Sequence, residues 1–141
     1  MTLKISDLSV GMELPALDLT FTRADLVAYA HASGDLNPIH QDEAFAKSVG
    51  LPDVIAHGML TMGRAIQVVT NWVGDPTAVI DYSVRMTRPV VVPDTAEGSV
   101  VSFTGKVAQI NDDGTVQVEL GAVFGEVKVL GLAKATVRLA Q

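Results

Sequence analysis

From residue 57 to residue 73 the chain carries a single charge, Arg64, within a helical pattern of apolar residues. Leu60, Ala65, Ile66, Val69 and Val73 recur there, interleaved with Gly58, Thr61 and Gly63. A helix that is apolar nearly all round has no face to offer water, so the rest of the chain must cover it. The sequence changes character just after it, near Gly74, and becomes almost entirely strand-like. Segments 78–87, 99–110, 115–124 and 127–139 are rich in β-branched residues. Asn111-Asp112-Asp113-Gly114 makes a strong hairpin turn and Gly125-Glu126 a tighter one, while Pro89 and Pro93 interrupt the path between the first two of these strands.

The first half supplies a strand and two further helices. Segment 14–21 alternates well enough for a first strand. Thr22 then reads as an N-cap with Asp25 at the third position, opening a helix that stops near Ser33-Gly34. Asp42 caps a second, short helix over 43–49, ended by Gly50. One long buried helix with about five largely antiparallel strands predicts an α+β domain whose sheet wraps around that helix. Strands of ten or more residues call for curvature or a bulge, and Gly105 and Gly121 are the candidates. The 141 residues fit a single domain over 1–141, with no internal repeat, low-complexity tract or linker.

Composition narrows the function classes. The formal net charge of −6, without any run of Lys or Arg, speaks against a nucleic-acid partner. The absence of cysteine removes disulfides, thiolate metal sites and a Cys nucleophile. No apolar stretch reaches the ~18 residues of a membrane span. The N-terminus shows no basic stretch followed by an apolar one, so a soluble, cytoplasmic protein is expected. Charged residues are only 18% of the chain, lean for a small monomer with its large surface, which suggests that some apolar surface is covered in an oligomer.

Two of the three histidines lie in informative places. In Ser33-Gly34-Asp35-Leu36-Asn37-Pro38-Ile39-His40-Gln41-Asp42, a polar loop follows a helix directly, and Asp35 and His40 stand five apart. Asn37 before a proline favours an extended or turn backbone and stops helical continuation. Folded so, the loop can bring together an imidazole and a carboxylate, the pair suited to moving protons, with reference pKa values of about 6.5 and 3.9. The same residues also make an ordinary turn in which Asp35 and Asn37 cap backbone N–H groups. A metal site of Asp35, His40 and His57 is a further alternative, weakened by the lack of a helical His pair.

The second constellation is Ile55-Ala56-His57-Gly58-Met59-Leu60-Thr61-Met62-Gly63. Gly58 falls at the start of the long helix, where backbone N–H groups lack intrahelical partners and the helix dipole is positive. A carbonyl oxygen placed there would be polarised as negative charge grows on it, and glycine would let an acyl group approach the backbone. Alternatively, Gly58 merely lets the helix start against the sheet, with His57 satisfied as a cap. Arg64, Arg85 and Arg88 are solvated charges or contacts for a phosphate-bearing arm. Met59, Met62 and Met86 fill the core or line an acyl tunnel. Ser33 lies in no Gly-x-Ser-x-Gly elbow.

The run from Ser33 to Asp42 resembles the hydratase motif of the MaoC-like family of (R)-specific enoyl hydratases and dehydratases. Ala56-His57-Gly58-Met59-Leu60 resembles the signature at the start of that family's central helix. Within the family, residues 56–63, Trp72-Val73-Gly74-Asp75-Pro76 and Tyr82-Ser83-Val84-Arg85 are similar to the B subunits of the 3-hydroxyacyl-carrier-protein dehydratases of mycolic-acid-type elongation. The resemblance implies a hot-dog fold and the reversible hydration of 2-enoyl thioesters to (3R)-3-hydroxyacyl thioesters, with no cofactor and no metal. It implies catalytic roles for Asp35 and His40, a Gly58 N–H that holds the thioester carbonyl, and Tyr29, Asn37 and Pro38 as residues that shape the substrate loop. The substrate would be carried on acyl carrier protein or coenzyme A. It also implies a dimer, either of this chain or with a related subunit lacking the catalytic pair. A non-catalytic acyl-binding subunit is the rival reading; a thioesterase would place a carboxylate on the central helix, where this chain has none. Some members carry a serine about eight positions after the glycine, where this chain has Ile66.

Overall fold

The segment expected to form one helix over 57–73 is two helices in the computed structural model of the chain, which describes residues 2–140. Helix α3 runs over Gly58–Ala65 and α4 over Gln67–Val73. Ile66 between them keeps right-handed backbone angles (φ −65°, ψ −17°). The backbone tightens there: Val69 N–H reaches the carbonyl of Ile66, three residues back, at 3.0 Å. Nor is the segment buried all round. Ala65, Val68 and Val69 enter the core, whereas Met59, Gly63, Gln67 and Asn71, four apart, form an exposed stripe.

The remaining elements are β1 (Leu17–Phe21), α1 (Arg23–Ser33), α2 (Glu43–Ser48), β2 (Val79–Met86), β3 (Ser99–Ile110), β4 (Thr115–Phe124), β5 (Val127–Lys128) and β6 (Leu130–Arg138). The sheet is antiparallel throughout, in the order β1-β3-β4-β6-β2, with the short β5 paired to β4. Along β3 the inward residues Val101, Phe103, Gly105 and Val107 alternate with Val100, Ser102, Thr104 and Lys106, so one face of the sheet covers the helices. Segment 127–139 is broken into β5 and β6. The first strand is shorter than expected because Pro15 offers no N–H, although Leu14 N–H still bonds the Gly105 carbonyl at 2.9 Å.

The capping signals in the first half are realised as read. Thr22 and Asp25 form a reciprocal capping box on α1, which ends at Gly34 in the left-handed region (φ 81°). Asp42 accepts from Phe45 N–H to open α2. The expected bulges fall elsewhere. Gly105 and Gly121 sit in regular register opposite Leu120 and Thr104, and the irregularities lie between Val107 and Gln109 and at two places along β2. Gly105 serves close approach instead: a Cβ there would stand 3.0 Å from Val68 Cγ1 and 3.2 Å from Leu14 Cδ2. Its missing side chain is what lets α4 settle on β3. Tyr82 ties β2 to α3 by donating its hydroxyl to the Met62 carbonyl at 2.7 Å, and burial pushes that phenol up to about 12. Among the described residues, no helix is long and apolar enough to cross a membrane.

Gly105→Val should therefore overpack the contact between α4 and β3. We expect a loss of about 1–3 kcal/mol in denaturant titration, the usual range for added methyl groups in a filled core. A variant as stable as the parent would show that α4 does not depend on this close approach.

Candidate active site

The loop after α1 is built by its own side chains. Gly34 reverses the chain; Asp35 then accepts from Asn37 N–H through Oδ1, and Asn37 accepts from Ile39 N–H, each at 3.2 Å. Pro38 opens a short 3-10 turn, Pro38–His40, closed by His40 N–H on the Asn37 carbonyl at 3.1 Å. The ordinary-turn reading of this motif is thus correct for the backbone. It leaves room for the chemical one, because Asp35 spends only one oxygen on the turn. Its Oδ2 lies 3.9 Å from His40 Nε2.

His40 is buried and its ring is fixed. Nδ1 sits 2.7 Å from the Ile55 carbonyl oxygen, which can only accept, so Nδ1 carries the proton and Nε2 is the free lone pair. That lone pair faces the half-exposed Asp35 carboxylate. At 3.9 Å the two atoms are too far apart to bond each other, yet one oxygen can sit within hydrogen-bond reach of both.

His57 lies beneath the pair. It occupies the N-cap position of α3 but makes no side-chain cap, contrary to one reading of the sequence. Instead Nε2–H donates to the Asp35 backbone carbonyl at 3.2 Å. Its ring stacks on His40, with centroids 3.8 Å apart and planes at 25°, and Tyr29 meets it edge-on at 4.7 Å. Burial pushes the His57 imidazole down from its usual range; the nearby His40 adds to this, and the Asp35 carbonyl and carboxylate oppose it.

A cleft of about 330 Å³ opens beside His40. It is lined by Gly58 and Thr61 of α3, by Met86 at the end of β2 and the residues after it to Val90, and by Val129 and Leu130. Arg88 is the only permanently charged side chain in this lining. Gly58 presents the helix start to the cleft, with Met86 close over it: a Cβ on Gly58 would stand 3.2 Å from Met86 Sδ. Tyr29 and Asn37 do not line the cleft; Tyr29 backs His57 and Asn37 shapes the loop. Met86 alone of the three candidate methionines lines it, whereas Met59 is exposed on the helix stripe. Arg64 is structural: it lies 4.5 Å from the centre of the Phe21 ring and donates to the Thr20 carbonyl. Thr61 and Leu130 were not legible as cleft residues, since nothing in their local sequence distinguishes them from core.

Asp35, His40 and His57 do converge, with one potential ligand atom of each within 4.8 Å of the others. The stacked rings suit a metal poorly as they stand. Imidazole binds a cation in the plane of its ring, and a cation shared by two nearly parallel, stacked rings would lie well out of at least one plane.

Comparison with known proteins shows the family. The family model described as "MaoC like domain" matches residues 7–123. The chain belongs to the MaoC-like family. The MaoC-like domain is 44% identical over 82 residues to 3-hydroxyacyl-thioester dehydratase X of Mycobacterium tuberculosis, a match covering 58% of this chain and 28% of that protein. A solved structure named MaoC-like dehydratase superposes with a TM-score of 0.95 at 45% identity, over 99% of this chain and 43% of the other. The matches thus cover less than half the length of each of these two relatives. The (R)-hydratase from A. caviae involved in PHA biosynthesis matches at 25% identity and a TM-score of 0.83, over 94% of this chain and 98% of that one. The fold is the α+β hot-dog of these neighbours.

The depressed His57 imidazole has a stability consequence with a definite sign. Its folded-state value lies below the unfolded one, so the unfolded chain binds the extra proton first. Stability is full above about pH 6.5 and is lost as pH falls from there through the folded-state value. Thermal melts at pH 7.5 and 5.5 should show a larger drop for the wild type than for His57→Phe. Equal drops would mean that His57 is not held neutral by burial.

Proposed function

We propose that this MaoC-like domain interconverts 2-enoyl and (3R)-3-hydroxyacyl thioesters, with Asp35 and His40 as the proton-moving pair. The observation that carries the reading is the gap between Asp35 Oδ2 and the free Nε2 of His40, which accepts a single oxygen. In dehydration that oxygen is the substrate's 3-hydroxyl; in hydration it is the attacking water. His40 Nε2 takes the proton from C2, and the C2 electrons form the C2–C3 double bond as the C3–O bond breaks. The hydroxyl departs as water with a proton delivered through the Asp35/His40 pair, which returns to its starting state. Negative charge gathers transiently on the thioester oxygen, and its acceptor in this reading is the Gly58 N–H, whose position at the start of α3 supports the role. No electrons are transferred to or from the substrate, so the reaction asks for no redox cofactor. Asn37 and Tyr29 serve the substrate indirectly, by shaping the loop and backing the histidines. Similarity to a 3-hydroxyacyl-thioester dehydratase supports the thioester chemistry. The resemblance of residues 56–63, 72–76 and 82–85 to the B subunits favours fatty-acid elongation of the mycolic-acid type, on acyl carrier protein, with a homodimeric enoyl-CoA hydratase as the alternative.

The absorbance of the enoyl-thioester band tests this directly, with crotonyl and longer thioesters and the purified chain. Asp35→Asn and His40→Gln should stay folded and each lose at least ~100-fold in turnover. A folded His40→Gln variant with near-normal turnover would sink the mechanism. Wild-type activity should survive dialysis against a strong chelator; loss restored by one divalent ion would transfer the chemistry to a metal at Asp35, His40 and His57.

The same reading includes a partner. The stripe of Met59, Gly63, Gln67 and Asn71 is uncovered, and β2 is an edge strand exposing Ile80 and Met86. A second hot-dog unit, a copy of this chain or a related subunit, would cover both. Sedimentation at micromolar concentration should give a dimer of the isolated chain. A stable monomer would contradict this.

A further inference from the structure

His57 is an expensive way to fill its space. The ring is 1% exposed, and with Nε2–H committed to the Asp35 carbonyl its lone pair is on Nδ1. That atom has no hydrogen-bond partner among the described residues. A buried acceptor left unpaired is destabilising, and a phenylalanine would occupy the same aromatic environment without it. Packing alone therefore does not account for an imidazole here. What the imidazole adds to a flat face against His40, and a hydrocarbon ring cannot, is an N–H aimed at the backbone of Asp35.

We propose that His57 is a positioning residue for the reaction: its Nε2–H anchors the Asp35 loop while its ring face sets the plane of His40. This rests on the hydratase reading above and deepens it. Asp35 is half exposed and stands in a loop, so its carboxylate needs an anchor to stay opposite Nε2. The His57 bond supplies one from 22 residues away, and the Ile55 carbonyl supplies the matching anchor for His40. The two anchoring groups are only two residues apart, so both halves of the pair are referred to one short stretch of backbone. The titratable groups facing His57 are His40 on the stacked side, Tyr29 on its edge and Asp35 across its Nε2. A ring that stays neutral does not oppose the proton that His40 must accept during turnover.

Three measurements on the full chain test the proposal. His57→Phe keeps an aromatic face and deletes the N–H, whereas His57→Gln restores an N–H able to reach the Asp35 carbonyl without the ring. In His57→Phe, kcat should fall by roughly 10- to 100-fold, the scale of a misplacement near 1 Å, while KM for the thioester stays within about threefold. His57→Gln should recover part of that loss. A folded His57→Phe variant with wild-type kcat would overturn the proposal. So would equal losses in the two variants that track equal drops in melting temperature, since those would signify packing alone. The third measurement is independent of turnover: long-range nitrogen–proton NMR of the wild-type rings at pH 7.5 should show His57 as the Nε2–H tautomer and His40 as the Nδ1–H tautomer. His57→Phe should also shift the His40 ring signals and the amides of residues 35–37. If the wild type proves inactive as a hydratase, these spectra still decide: a His57 protonated on Nδ1, or unchanged signals in the variant, would refute the positioning role.

Discussion

Two crossed hydrogen bonds hold the site together. His40 donates to the Ile55 carbonyl and His57 donates to the Asp35 carbonyl, over sequence separations of 15 and 22 residues. Each ties the loop after α1 to the entry of α3, and each fixes a tautomer. The bond from His40 places its lone pair on Nε2, toward Asp35; the bond from His57 leaves its own lone pair facing protein. A carbonyl can only accept, so neither bond can reverse direction without breaking. The chemical character of both imidazoles thus follows from two backbone oxygens.

The Ile55 oxygen and the His57 ring are in place because the helix start is in place. Helix α4 descends onto β3 at Gly105, where the absent side chain admits Val68, and β2 is tied to α3 through Tyr82 and the Met62 carbonyl. The Ala56 N–H bonds the Val90 carbonyl at 2.9 Å, so the strand-like entry to α3 is pinned to the segment after β2. That segment carries Arg88 to the cleft, while Met86 at the end of β2 lies over Gly58. The start of α3, the buried His40 imidazole and an apolar wall thereby meet at one cleft, and the Asp35 carboxylate faces His40 from the loop.

Much of the local structure was legible because it rests on contacts within four residues. Thr22 with Asp25, Asp42 with Phe45 N–H, and Gly34 as a left-handed stop are short-range chemistry that any tertiary context must respect. The strands over 99–110 and 115–124 followed from alternation and the turn at Gly114. The split at Ile66, the exposed stripe on α3 and α4, and the true bulge near Ala108 were not legible. Each depends on which side of an element meets the sheet, and an apolar helix pattern does not carry that information. Gly105 illustrates the ambiguity: a glycine within a strand signals either a bulge or a close approach, and only the neighbour across the layer decides between them.

For the site the division is similar. The residues of the motif determined, by themselves, that a turn would form from Asp35 to His40 and that a carboxylate and an imidazole would stand at its two ends, because Asn37, Pro38 and Asp35 build that turn from their own hydrogen bonds. Only the tertiary structure decided what the pair could do. The 3.9 Å gap, the tautomer of His40 and the stacking of His57 all require the 55–58 segment to arrive from across the fold. Proton affinity and tautomer are set by burial and by partners, and those exist only once distant segments have packed.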